Sequence, residues 1–136
     1  MTEVQHQANM EQVRHLLLSW ASATRTDERS KILKNHHPDS LIFDVLQPTQ
    51  YAGTEAYRAS WDSWQPETQG DNVFEFTDLN VVTGEDVAFA SGLIRCGGTL
   101  KDGKSFEDLV RATFCLQNLS DKWTVMHQHI SKPMGK

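Results

Sequence analysis

An α+β fold is predicted, with helices packed on one face of a curved antiparallel sheet. Three observations predict it. Helical periodicity is confined to the first half of the chain. From Asn72 onward the sequence reads as strands joined by tight-turn signals. One isolated strand pattern falls between the helices.

Met10, Val13, Leu17 and Trp20 recur at three- and four-residue steps, the apolar stripe of an amphipathic helix over about residues 4–23. Thr26-Asp27 can cap a short second helix reaching about Asn35. His36-His37-Pro38 interrupts the pattern and reads as a connection, and 40–46 reads as a strand ended by Gln47-Pro48. Thr54 caps a third helix over about residues 55–65, with Pro66 beyond it. Four strands follow, at roughly 73–82, 87–98, 104–117 and 122–131. Gly84-Glu-Asp, Asp102-Gly103 and Asn118-Leu-Ser-Asp121 supply the turns. Gly97-Gly98 is expected to mark a bulge.

The 136 residues suit one domain, 1–136. A net charge of −5 without a basic stripe argues against nucleic acid as a partner. No apolar run has the length of a membrane span. The N-terminal residues lack the pattern of a signal peptide, so a cytoplasmic location is expected by default. Cys96 and Cys115, both inside predicted strands, then read as free, buried thiols. No nucleophile elbow or phosphate-cradling glycine loop is visible.

Four segments carry a resemblance. They are Leu41-Ile-Phe-Asp44 with Tyr51-Ala-Gly-Thr-Glu-Ala-Tyr57, the turn around Gly84-Glu-Asp86, Arg111-Ala-Thr-Phe114, and Trp123 to Pro133. In these the chain resembles the SnoaL-like and ketosteroid-isomerase-like group of the nuclear transport factor 2 superfamily. The resemblance implies a cone-shaped, cystatin-like α+β barrel. Its strongly curved sheet would hold a mostly apolar cavity under the N-terminal helices, and it would often dimerise through the sheet. It also implies a proton-moving carboxylate near the first strand, where Asp44 falls. The first helix has no tyrosine and no aspartate matches the family's second acid, so the steroid reaction itself is not implied.

Asp44 stands between Phe43 and Val45. Desolvation there raises a carboxyl pKa and suits a general base; a turn-capping aspartate is the alternative. His127, His129 and Ser131 alternate along the final strand and share a face. The two imidazoles are candidate partner acids, or else hydrogen-bonded core residues. A three-residue turn would set Arg111 opposite His129, and a four-residue turn opposite Gln128. Arg111 is a candidate anchor for a negatively charged group, or a structural ion-pair partner. A metal held by His127 and His129 with Asp44, Asp108 or His37 is a further alternative. The nearby guanidinium opposes it, and no metal or other cofactor is assigned. Tyr57, Trp61 and Trp64 lie at i, i+4 and i+7 on one helical face, as cavity wall or as core.

The expected function is a pocket for a small apolar or cyclic compound, with isomerase, lyase or hydratase chemistry by proton transfer. The alternative is a non-catalytic ligand-binding or dimerisation module. Val87, Phe89 and Leu93 alternate on a sheet face that needs cover, so a homodimer is expected.

Overall fold

The computed structural model describes residues 1–64 and 68–135, with Ser63 and Trp64 described in their backbone only. Helix α1 spans Glu3–Arg25 and the short α2 spans Arg29–Ile32. Strands β1 (His36–Phe43) and β2 (Tyr51–Ala52) precede α3 (Thr54–Trp64). The remaining strands are β3 (Thr68–Thr83), β4 (Val87–Leu100), β5 (Ser105–Leu119) and β6 (Lys122–Ser131). All six form one curved, unclosed sheet in the order β2-β1-β6-β5-β4-β3. Among the described residues no helix is long and apolar enough to cross a membrane.

Helix α1 starts where the Thr2 side chain accepts the Gln5 N–H at 3.0 Å. It then buries Val13, Leu16, Leu17 and Trp20 against the sheet. Trp20 is the keystone. Its ring meets Phe74 at 5.4 Å and Phe114 at 5.0 Å edge-on, and Phe76 at 5.9 Å. Helix α3 packs on β1 and β2 at the other end of the sheet.

Irregularities in the ladders accompany the curvature. Between Thr77 and Asn80 strand β3 carries one residue more than β4, with Asp78 at φ 54°. Gly92 lies opposite, where a side chain would meet the Phe76 ring and the Leu79 backbone. The bulge expected at Gly97-Gly98 is instead on the facing strand. Strand β4 pairs with β5 in unbroken register, and the extra residues fall on β3 between Gln69 and Val73. Gly97 serves a different need, because a Cβ there would strike the Phe106 carbonyl oxygen.

Two expectations are corrected here. The sheet is not wholly antiparallel, because β1 runs parallel to β6. His36-His37-Pro38 is not a connection but the start of β1. Pro38 sits in a stretch where the β1–β6 ladder is interrupted, so its missing N–H breaks no regular pairing. Ser40 stitches that gap: its Oγ lies 2.7 Å from the His37 carbonyl and 2.6 Å from the Val125 carbonyl.

Candidate functional site

Strand β1 ends at Phe43 and delivers Asp44 to the rim of the helix-covered hollow. Gly53, at φ 106°, turns the chain into α3. The i, i+4 spacing then puts Tyr57 and Trp61 on the buried face of that helix. The Tyr57 ring is clamped edge-on between Tyr51 at 5.1 Å and Trp61 at 5.7 Å. Its hydroxyl donates to Asp44 Oδ2 at 2.6 Å, while Asp44 Oδ1 accepts the Val45 N–H at 2.7 Å.

These groups border a cavity of about 120 Å³. Trp20, Thr24 and Ile32 close it from the helices, and Phe74, Cys96, Val110 and Ile130 from the sheet. A wider hollow of about 630 Å³ lies at the mouth and shares Thr24, Trp61, Phe74 and Cys96 with the inner cavity. Arg29 flanks this mouth, its guanidinium carbon 5.9 Å from the centre of the Trp61 ring and its Nη1 2.6 Å from Asp62.

The apolar walls set the electrostatics. Burial pushes the Asp44 carboxyl above its ordinary value, against the opposing hydrogen bonds from Tyr57 and Val45. Burial, then the charge and hydrogen bond of Asp44, hold the Tyr57 phenol well above its ordinary value. The phenol therefore keeps its proton and acts as a donor. Burial likewise raises the Cys96 thiol, which stays neutral. A carboxylate that resists ionisation, fixed by a neutral phenol in an apolar wall, has the properties of a proton acceptor tuned toward neutrality.

The final strand is arranged differently from the expectation. His127, His129 and Ser131 do share a face, but it is the outer one. Gln128, fully buried, and Ile130 face inward. His127 Nδ1 lies 2.7 Å from the Leu41 carbonyl, and His129 is exposed. The Phe43 ring sits edge-on to both, at 4.8 and 5.2 Å. Neither imidazole reaches Asp44. Arg111 is exposed and pairs in register with Ser131, so both expected registers are corrected. The cause is a two-residue turn, Ser120-Asp121, with φ of 53° and 65°. A bulge between Cys115 and Leu116 in the pairing then shifts the register by one. The Trp64 side chain lies outside the described residues. Among the described residues no three His, Cys, Asp or Glu side chains come together to hold a metal.

Two polar residues that sequence reasoning did not place in the interior sit behind the pair. His36, at the start of β1, brings Nε2 within 2.8 Å of Gln128 Oε1. Burial lowers the His36 pKa from 6.5 to about 4, the Gln128 contact opposing it. The folded protein thus refuses a proton that the unfolded chain accepts as pH falls through 6.5. Stability is full above that value and is lost down to about pH 4. At about 1.4 kcal/mol per unit, the loss is on the order of 3 kcal/mol. Urea unfolding of wild type and His36→Gln should diverge by roughly that amount between neutrality and pH ~4, the wild type losing more. Parallel pH profiles would show that His36 titrates normally.

Residues 13–135 match the model of the SnoaL-like domain family. No curated protein matches the chain. An NTF2-like protein of unknown function from Pseudomonas putida KT2440 is 32% identical. It covers 95% of this chain and 89% of its own, with a TM-score of 0.84. A ketosteroid isomerase-like protein from Erwinia carotovora atroseptica SCRI1043 superimposes with a TM-score of 0.75 at 16% identity, covering 93% and 97%. The association domain of C. elegans CaMKII gives 0.75 at 14% identity, covering 93% and 98%. These last two share the fold.

Proposed function

The chain belongs to the family of SnoaL-like domains, and from that premise we propose a small-molecule pocket protein whose Asp44 moves a proton on a small cyclic carbonyl compound. The observation that carries this reading is the 2.6 Å hydrogen bond from Tyr57 to Asp44 at the wall of an apolar cavity. Asp44 takes a proton from the carbon beside the carbonyl, and the electron pair moves to the carbonyl oxygen as the enolate forms. Where a carbon–carbon double bond is conjugated with the enolate, return of the proton to its far carbon isomerises the compound, while return to the same carbon leaves only exchange. Tyr57 holds the carboxylate in place and Trp61 forms the wall for the ring. Drug-sized ligands occupy roughly 300–1,000 Å³, whereas an apolar cavity near 150 Å³ takes benzene. An inner cavity of about 120 Å³ therefore suits a single ring, with substituents extending into the mouth.

Cyclohexanone is a suitable probe. Its titration is expected to shift tryptophan emission, because Trp20 and Trp61 both line the cavity. In D₂O the protein is expected to accelerate exchange of the protons beside its carbonyl, read by NMR. A flat emission response across single-ring ketones, with no exchange, would favour the second reading, a non-catalytic dimerisation module. That reading has its own support. The outer sheet face leaves Val82, Val87 and Phe89 exposed by 51%, 60% and 53%, around a groove of about 630 Å³. A homodimer closed over this face is compatible with either reading, since the pocket opens elsewhere.

A further inference from the structure

The inner cavity and the mouth differ in kind. The inner cavity, of about 120 Å³, is walled mainly by apolar side chains. The mouth, of about 630 Å³, is bordered by five charged residues: Arg25, Asp27, Arg29, Asp62 and Lys101. The two spaces share Trp61, Phe74 and Cys96. Cys96 stands where they meet and is only half-buried, and Cys115 is exposed on the outer face, so neither thiol is fully buried as expected. The backbone explains why two arginines border one space. Helix α1 ends at Arg25, and the chain reverses at Asp27, whose φ is 54°. The Glu28 N–H closes this turn on the Ala23 carbonyl at 2.9 Å. Glycine is usual at such a position, and aspartate tolerates it at some cost. Here the carboxylate has a use, because Asp27 Oδ1 lies 3.1 Å from Arg29 Nε. Helix α2 then starts at Arg29, so the turn brings the second arginine back to the space that the first one borders.

We propose that the mouth is an anion subsite, and that the substrate is a single-ring ketone carrying a carboxylate on a short chain. The inference rests on the reading of the inner cavity as the seat of a cyclic ketone. The sign of the charge follows from the ion pairs. Both mouth carboxylates are engaged by Arg29, Asp27 at 3.1 Å and Asp62 at 2.6 Å. Arg25 makes no hydrogen bond or ion pair among the described residues. Lys101 adds a further positive charge to the rim. Three cations thus stand against two carboxylates among the described lining residues, in a chain whose net charge is −5. A guanidinium keeps its charge at any physiological pH, and its planar fork fits a carboxylate. A cation in the last turn of α1 also suits the helix dipole, but that role gives no selectivity between ligands. An apolar seat beneath an unengaged cation selects a ligand of matching polarity, with its ring inside and its negative end at the mouth. A positively charged substituent would meet like charge there.

The whole chain is titrated with 3-(4-oxocyclohexyl)propionate and with its methyl ester, which keeps the ring and lacks the charge. Tryptophan emission reads binding. The acid is expected to bind about five-fold tighter than the ester at low salt, the scale of one exposed ion pair. The preference should shrink toward one in ~1 M NaCl, where charges are screened within a few ångströms. In Arg25→Gln the acid-to-ester ratio is expected to fall toward one even at low salt. An arginine that serves only the end of α1 would lower the melting temperature of that variant and leave the ratio alone, which would overturn the proposal. So would an acid that binds no tighter than its ester to the wild type, or that does not bind at all. The salt dependence is read on the wild type and decides even if the variant does not fold. Proton exchange on cyclohexanone, which has no charged arm, tests the catalytic reading separately. Exchange without a preference for the acid would remove the subsite alone, and a preference without exchange would remove the catalysis alone.

Discussion

Asp44→Asn is expected to abolish proton exchange on cyclohexanone, lowering the enhanced rate by about 10²–10⁴-fold, the usual contribution of a positioned general base. The substitution changes little else. An asparagine Oδ1 still accepts the Val45 N–H, while the amide nitrogen that replaces Oδ2 donates to the Tyr57 oxygen instead of accepting from its hydroxyl. The same change should stabilise the fold at neutral pH. Burial raises the Asp44 pKa, so the folded state favours the protonated carboxyl. Its stability is therefore highest below the ordinary carboxylate value of 3.8 and falls as pH rises through the folded value. At neutrality the wild type bears the full cost of a desolvated charge that asparagine never carries. Thermal melts should place Asp44→Asn above wild type near pH 7, with the gap closing in acid. A wild type that melts higher at neutrality would show that the charge is well solvated. Unchanged exchange would remove Asp44 from the chemistry.

Trp20→Ala is expected to cost about 3–5 kcal/mol, the range for truncating a large buried aromatic. Trp20 is 5% exposed and joins α1 to β3 and β5 through three ring contacts. Truncation leaves a void beside an existing cavity, which the neighbouring rings cannot fill by small shifts. Urea unfolding measures the loss directly. Trp20→Phe, which keeps an aromatic ring, should cost much less. A loss below about 1 kcal/mol for Trp20→Ala would show that α1 is held by other contacts.

The helices and the long strands were legible because their signals are local. The stripe from Met10 to Trp20 is a helix face, and glycine or aspartate marks the turns after β3 and β4. Asp44 was legible for the same reason, as a carboxylate beside Phe43 at the end of an apolar strand. What escaped is non-local. The β1–β6 pairing joins residues some ninety positions apart and runs parallel, so no turn residue announces it. It drew His36 into the interior, where local reading placed a solvated connection. The face of His127 and His129 was misjudged because β6 changes parity at its bulge. Trp123 and Val125 face inward before it, and Gln128 and Ile130 after it. Strict alternation along the strand cannot show a one-residue slip. A fully buried glutamine between two histidines carried no warning of its own, since the residue its oxygen meets, His36, comes from β1.

The most direct test of the central claim, a desolvated carboxylate fixed by Tyr57 in an apolar hollow, is the ¹³C titration of the Asp44 carboxyl in the wild-type protein. The expected result is a midpoint above the ordinary aspartate value of 3.8, rising further in Tyr57→Phe as the donated hydrogen bond is lost. A midpoint at or below 3.8, insensitive to Tyr57→Phe, would place Asp44 in water and contradict the account.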